Sequence, residues 1–225
     1  MSDTDSFIDE VTEEVRRDRL FKAMRRYGWI AVLAVIAIVG GAAWNEWTKA
    51  QARASAEAFG DDMLAALSAP DGGMRVAALS DVEAPGDASQ AMIDLLAAGE
   101  LSADAPAEAA ERLLALADRE GIDTVYRQIA MLKAVSIPGS GLSIDERRNR
   151  MEGLALGSGV ARLLAEEQLA MIEVELGDTG AAIERLQQLV VDAEATTGLR
   201  TRASQVIVAL GGEMPGNPSG EPANE

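Results

Sequence analysis

The longest apolar run of the chain covers Tyr27–Trp47, and no residue from Tyr27 to Trp44 is charged. At about 1.5 Å of rise per residue, this uncharged run is about 27 Å long as a helix, close to the roughly 30 Å hydrocarbon core of a bilayer. Both of its ends carry aromatic side chains, which favour the headgroup level: Tyr27, Trp29, Trp44 and Trp47. The pattern predicts one transmembrane helix over positions 27–47. The alternative is a buried core helix, but few core helices are apolar all round over such a length.

Basic side chains are concentrated on one flank of this run. Within a dozen residues of its N-terminal end lie Arg16, Arg17, Arg19, Lys22, Arg25 and Arg26. Because positive charge resists translocation, we expect positions 1–26 to form a cytoplasmic amphipathic arm and the chain beyond Trp47 to lie outside the cytoplasm. The alternative is a cleaved signal peptide, since Ala50-Gln51-Ala52 has the small-residue pattern of a cleavage site.

Beyond the anchor, short apolar patterns with three- and four-residue spacing alternate with Gly, Pro and Ser. They predict a continuation of the anchor helix to Leu67, followed by helices at Met74–Ser80, Ala88–Ala98, Ala107–Asp118, Thr124–Val135, Ile144–Leu156, Val160–Leu176, Ala181–Ala193 and Thr201–Leu210. No convincing strand pattern occurs, so the expected fold class is all-α. We expect a folded domain over positions 48–210. Positions 211–225 are rich in Gly, Pro, Asn and Glu and are expected to form a disordered tail.

The segment Arg162–Glu194 has the spacing of a tetratricopeptide unit, in which about 34 residues form two antiparallel helices. Its matching positions are an aliphatic–small pair, a turn, the small residue of the helix crossing and two large residues of the second helix. These are Leu169 and Ala170, Gly177 and Asp178, Ala182, and Leu186 and Leu189. A weaker copy lies 73 residues upstream, at Ala109, Leu113 and Leu116. We therefore predict a divergent tetratricopeptide-like α-solenoid, with ordinary helix hairpins lacking true repeats as the alternative.

The amino-acid composition limits which reactions and partners the chain can support. The formal net charge is −17, and the chain has neither Cys nor His. Disulfide and thiolate chemistry are therefore excluded, and the commonest general base and metal ligand is missing. An acidic domain disfavours nucleic-acid partners and favours basic or apolar ones. We expect no catalytic residues, cofactor, metal site or small-molecule substrate, and we predict that the chain is not an enzyme.

Two charged clusters have ordinary interpretations. The carboxylates of Glu166, Glu167, Glu173 and Glu175 are expected to form a solvated helix face. The basic cluster of Arg147, Arg148 and Arg150 is expected to be neutralised by the adjoining Asp145 and Glu146, although a contact for an acidic partner stays open.

The arm, the anchor and the helical domain together resemble the ancillary SecYEG translocon subunit family and its alphaproteobacterial tetratricopeptide-like relatives. The segments that carry the resemblance are Phe7–Val11, Glu14–Leu20, Arg25–Gly28, the pair Trp44 and Trp47, and the turn Gly177-Asp178.

This resemblance implies a single-pass protein of the bacterial inner membrane, with its N-terminus in the cytoplasm and its repeat domain in the periplasm. It also implies three kinds of protein partner: the Sec translocon, a periplasmic folding factor and secreted clients. The implied function is protein translocation with a chaperone-like role. The alternative is a scaffold or assembly factor for another inner-membrane or envelope complex.

Overall fold

A computed structural model describes residues 3–215, with side chains from Lys22 onward except those of Ala23 and Ala31. Over these residues the chain forms nine α-helices and no strand. The helices are α1 (Asp3–Leu67), α2 (Gly72–Asp81), α3 (Asp87–Leu101), α4 (Pro106–Ala117), α5 (Thr124–Ser136), α6 (Ile144–Ala155), α7 (Gly159–Glu175), α8 (Thr179–Val191) and α9 (Thr197–Ala209). The predicted all-α fold class is confirmed.

Helix α1 contains the predicted anchor. Its segment Met24–Leu67 is long and apolar enough, by length and composition, to cross a membrane, and none of its most apolar window is buried within the protein. The rings of Trp44 and Trp47 contact each other with centroids 5.5 Å apart. The guanidinium of Arg26 lies 6.0 Å from the ring centroid of Tyr27. Trp29 is exposed, as are Lys22 and Arg25 of the predicted orientation signal.

The side chains of Arg16, Arg17 and Arg19, which belong to the predicted orientation signal, lie outside the described residues. The chain divides into two compact units, one ending at Ala58 and one beginning at Phe59. The last turns of α1 therefore belong to the second unit. There Met63 and Ala66 are buried in a cluster with Leu79 of α2 and Ile93 of α3.

The second unit is a stack in which each helix from α2 onward packs against the next one. In addition, α3 contacts α5 and α5 contacts α7, so these three helices lie along one side of the stack. The hairpins α3–α4 and α7–α8 are closely packed, whereas α5 contacts α6 much less than α6 contacts α7. This alternation of second-neighbour and sequential contacts is typical of a helical-repeat solenoid.

A pair of helices recurs with an offset of 73 residues. Helices α4 and α5 each begin 73 residues before their counterparts, α8 and α9. Equivalent positions are buried in both copies: Ala109, Leu113, Leu116 and Ala130 in the first, and Ala182, Leu186, Leu189 and Ala203 in the second. Arg127 donates from Nε to the carbonyl of Ala117 at 2.9 Å, and its equivalent Arg200 donates from Nη2 to the carbonyl of Asp192 at 2.7 Å. Each arginine therefore ties its helix to the end of the preceding one.

Side-chain caps fix several of the helix starts. The five capping residues are Asp71, Asp123, Ser143, Asp178 and Thr196. The Oγ1 atom of Thr196 accepts from the amide of Leu199 at 3.3 Å, which explains why α9 begins at Thr197, four residues before the predicted start. Gly177 joins α7 to α8 with φ of 81°, a conformation that glycine adopts without strain.

The chain after α9 packs back on the stack instead of leaving it at position 211. Met214 contacts the apolar cluster of α7, α8 and α9, and Gln187 donates to the carbonyl of Glu213 at 2.6 Å. A methyl group on Gly212 would lie within 3.0 Å of side-chain atoms of Ile183 and Ile207, so the backbone is close to the core here. Residues 211–214 therefore differ from the expected disordered tail, because Met214 supplies an apolar anchor. Positions 216–225 of that predicted tail lie outside the described residues.

Candidate functional site

Helices α5, α7 and α9 together line a groove of about 630 Å³. Its apolar side chains are Leu132, Leu164, Met171 and Val206, and its polar ones are Lys133, Ser136, Glu167, Gln168, Arg202 and Gln205. Binding pockets for ligands usually have volumes of about 300–1,000 Å³, an apolar lining and a few convergent polar groups. The groove has these properties and is the strongest candidate for a binding surface in the part of the chain that the structure describes.

Helical spacing explains why these side chains converge. On α7, Leu164, Gln168 and Met171 are four and three residues apart and therefore share one face. The adjoining stripe of the same helix, with Leu163 and Ala170, is buried in the core. Leu164 and Met171 are half-buried against that core cluster while they line the groove. Helix α7 thus contributes two apolar residues to the groove, and α5 and α9 contribute one each, Leu132 and Val206. An apolar groove on the repeat domain was expected from the sequence, but the residues that line it were not identified.

An ion pair crosses the groove between α7 and α9. Arg202 donates from Nε to Oε1 of Glu167 at 3.0 Å and from Nη2 to Oε2 at 2.8 Å. The hydrogen bond to Glu167 raises the pKa of the Arg202 guanidinium. Lys133 lies on α5 and is exposed. It has no carboxylate partner within 4.0 Å among residues whose side chains are described, so its ammonium group is available to a bound partner.

Three of the four α7 carboxylates lie between helices, which differs from the expected solvated face. Glu166 and Glu173 both pair with Arg185 of α8, and Glu167 pairs with Arg202. Less than a third of each of these carboxylate side chains is exposed. The pKa of the Arg185 guanidinium is raised, chiefly by its hydrogen bond to Glu173 and further by its hydrogen bond to Glu166. The expectation failed because α7 has neighbouring helices on several sides, which leaves it few positions that face water alone.

The basic cluster of α6 is neutralised mainly by acids from other elements. Arg147 pairs with Glu175 of α7 at 2.7 Å. The guanidinium of Arg150 lies 3.4 Å from the carboxylate of Asp118 and 3.3 Å from that of Glu146. Of these two acids, only Glu146 lies on α6. Neutralisation of this cluster was expected from the sequence, but only Glu146, the partner on the same helix, could be identified there.

The structure places the predicted repeat-packing residues along the α7–α8 hairpin. Leu169, Ala170, Ala182, Leu186 and Leu189 are buried, each with at most 3% of its surface exposed. Gly177 and Asp178 form the turn, and Asp178 accepts from the amide of Ala181 at 3.1 Å. These residues build the support beneath the groove and do not line it.

Among the described residues no cluster of three or more acidic, His or Cys side chains could hold a metal ion. The groove instead offers apolar contact, two amide side chains, one free ammonium group and one paired guanidinium. These groups could contact a partner through its shape and through hydrogen bonds.

The sequence profile described as a tetratricopeptide repeat-like domain matches residues 24–147. The match begins near the predicted anchor, continues through α2–α5 and ends within α6. No curated protein and no solved structure matches the chain. The matched segment covers more than half of the chain, and the stacked helices of the second unit agree with it. The chain therefore belongs to the tetratricopeptide repeat-like domain family.

Proposed function

We propose that this protein is a membrane-anchored interaction module that holds an apolar segment of a partner protein in the groove of α5, α7 and α9. A tetratricopeptide repeat-like domain indicates a protein–protein interaction module. The observation that carries the proposal is the apolar stripe of Leu164 and Met171, which faces the groove while a second stripe of α7 forms the core.

The groove favours an apolar segment with hydrogen-bonding backbone. Each aliphatic side chain that moves from water into such a groove contributes about 1.5–3 kcal/mol when it is fully buried. Gln168 and Gln205 can donate to and accept from the partner backbone, which satisfies its hydrogen bonds in the groove. Lys133 adds a preference for a segment with a carboxylate at that end of the groove.

The apolar helix near the N-terminus supports anchoring in a membrane. In our proposal the protein spans the inner membrane once, with positions 1–26 in the cytoplasm and the repeat domain in the periplasm. The basic flank that includes Lys22, Arg25 and Arg26 supports this orientation. An anchor raises the local concentration of the domain near membrane-bound partners, so a modest groove affinity suffices.

The resemblance to the translocon family supports a more specific version of the proposal. The module is then an ancillary subunit of the Sec translocon that holds apolar segments of secreted proteins as they emerge, with a periplasmic folding factor as a further partner. Retaining such segments on the membrane surface gives a chaperone-like effect, because exposed apolar segments otherwise aggregate.

Site-specific photo-crosslinking tests the groove in native membranes. A photoreactive residue in place of Gln168 in the full-length protein should crosslink to a secreted protein or a translocon subunit. The variant Met171→Glu should reduce that product about tenfold or more, because a carboxylate against an apolar segment costs more than about 1.4 kcal/mol. The matched control is Met92→Glu, which places the same change at an exposed position of α3 outside the groove.

The identity of the crosslinked protein separates the candidate functions. Products with secreted proteins and translocon subunits support the specific proposal. Products with folded subunits of another envelope complex support the scaffold alternative. Equal products from Met171→Glu and Met92→Glu would contradict the groove as the binding surface.

A further inference from the structure

A second cleft, of about 380 Å³, lies between α5 and α6, the hairpin whose helices contact each other least among those of α3–α8. Its lining includes two guanidinium groups and two amides, over an apolar base formed in part by a thioether and an aliphatic side chain. These are Arg127, Arg150, Gln128, Asn149, Met131 and Leu154. The lining contains no carboxylate, although the whole chain carries a net charge of −17.

The 73-residue repeat shows what is unusual about Arg127. Its equivalent Arg200 makes the same kind of bond to a backbone carbonyl but lies close to the carboxylate of Asp192. The position equivalent to Asp192 in the first copy is Arg119, whose guanidinium pairs with Asp94. Among the residues with described side chains, Arg127 has no carboxylate within 4.0 Å. Its remaining N–H groups are thus free to serve a ligand.

The second guanidinium is only loosely engaged. Arg150 contacts Asp118 and Glu146 at 3.3–3.4 Å, and more than 40% of each of these two carboxylate side chains is exposed. Exposed ion pairs of this kind contribute about 0–1 kcal/mol. A ligand carboxylate that accepts charge-assisted hydrogen bonds from both Arg127 and Arg150 would compete well for this guanidinium.

We infer that the α5–α6 cleft binds a carboxylate on an apolar stem, with the two arginines holding the carboxylate and Met131 and Leu154 contacting the stem. The shared chemistry fits a small aliphatic organic acid or the carboxyl end of a peptide. Asn149 and Gln128 supply neutral hydrogen bonds around the charge. The site is distinct from the groove of α5, α7 and α9, since the two sets of lining residues do not overlap.

Methyl NMR of the full-length protein in detergent micelles tests this inference. With ¹³C-labelled methionine methyl groups, Met131 reports on the cleft and Met171 on the groove in one spectrum. We expect N-acetyl-leucine to shift the Met131 signal saturably and to leave Met171 unchanged. N-acetyl-leucinamide, which lacks the charge, should shift neither. Failure of the groove proposal would not affect the Met131 result, so the two proposals fail separately.

Two variants and one control complete the design. Arg127→Gln should weaken the binding of N-acetyl-leucine about tenfold or more through loss of charge-assisted hydrogen bonds. Gly153→Leu should do the same by filling the cleft, because a Cβ at Gly153 meets no atom within 4 Å and the helix tolerates it. Arg200→Gln removes the equivalent backbone hydrogen bond outside the cleft and should leave binding unchanged.

The source of the carboxylate follows from a third probe. Equal binding of 4-methylpentanoate and N-acetyl-leucine supports a small organic acid, and tighter binding of N-acetyl-leucine supports a peptide end. Absence of any Met131 shift, an equal shift with N-acetyl-leucinamide, or retained binding in both Arg127→Gln and Gly153→Leu would overturn the inference.

Discussion

Replacing Ala182 with Phe should disrupt the α7–α8 hairpin. Ala182 lies in α8 and Ala170 in α7, and both are completely buried. Small residues at the crossing let the two helices approach closely, so there is no space for a ring beside them. Overpacking a core usually costs about 1–3 kcal/mol, and we expect the upper end here because Ala182 has no exposed surface toward which a ring could turn.

Thermal unfolding of the full-length protein in detergent, followed by circular dichroism at 222 nm, measures this cost. For a domain of this size, 1 kcal/mol corresponds to a shift of about 2–4 °C in the melting temperature. A cost of about 3 kcal/mol therefore predicts a decrease of about 6–12 °C for Ala182→Phe.

The control is Glu184→Phe, which introduces the same side chain into α8 at an exposed position. Both variants change the helix propensity of α8 in the same direction, so the difference between them reports the crossing. Equal melting temperatures for Ala182→Phe and Glu184→Phe would refute the close crossing. The variant Ala109→Phe, at the equivalent position of α4, should resemble Ala182→Phe, since Ala109 is also completely buried.

Three further predictions concern the end of the chain, acid stability and topology. Truncation after Pro215 should leave the melting temperature unchanged, whereas truncation after Leu210 should cost about 1–3 kcal/mol by removing Met214 from the core, which thermal unfolding will measure. The pKa of Asp192 is lowered, chiefly by the hydrogen bond that Arg162 donates to it. The charged carboxylate therefore stabilises the fold above about pH 4, and this stabilisation is lost as the pH falls further. Asp192→Asn should therefore destabilise the protein near neutral pH and lose this effect in acid; a deficit that persists in acid would exclude a charge effect. Protease added to spheroplasts should digest the repeat domain and spare the N-terminal arm, and a protected domain would refute the orientation.

The helices could be predicted because their determinants are local. The run Tyr27–Trp47 and the turn Gly177-Asp178 are each recognisable within a short window of sequence, and Ser143 was visible as a cap three residues before Glu146. The start of α9 was missed because the predicted start relied on apolar periodicity, whereas Thr196 caps the helix one turn earlier.

The residues of the groove, and the cleft as a whole, could not be predicted because they depend on which helices become neighbours. Met171 has the same spacing on α7 as a core residue, and only the position of α9 leaves it in a groove. Likewise, Glu167 looked like a surface carboxylate until the fold placed Arg202, 35 residues later, beside it. Long-range pairs of this kind leave no signature in a single sequence.

The 73-residue repeat also shows how α9, the last helix within residues 3–215, differs from its counterpart earlier in the chain. By its position, α9 is the counterpart of α5, and Val208 corresponds to Val135. Val135 is 1% exposed beneath α6 and α7, whereas Val208 is 63% exposed, since within residues 3–215 no later helix packs on it. Ser204 and Gln205 stand where α5 has Met131 and Leu132, which pack against those following helices.

These polar residues make this surface of α9 compatible with water, a property that the terminal units of repeat arrays require. The same comparison indicates how the repeat array could be lengthened by design. A further copy of residues 137–209 could be appended after α9 once Ser204→Met and Gln205→Leu restore the apolar contacts on which it would stack.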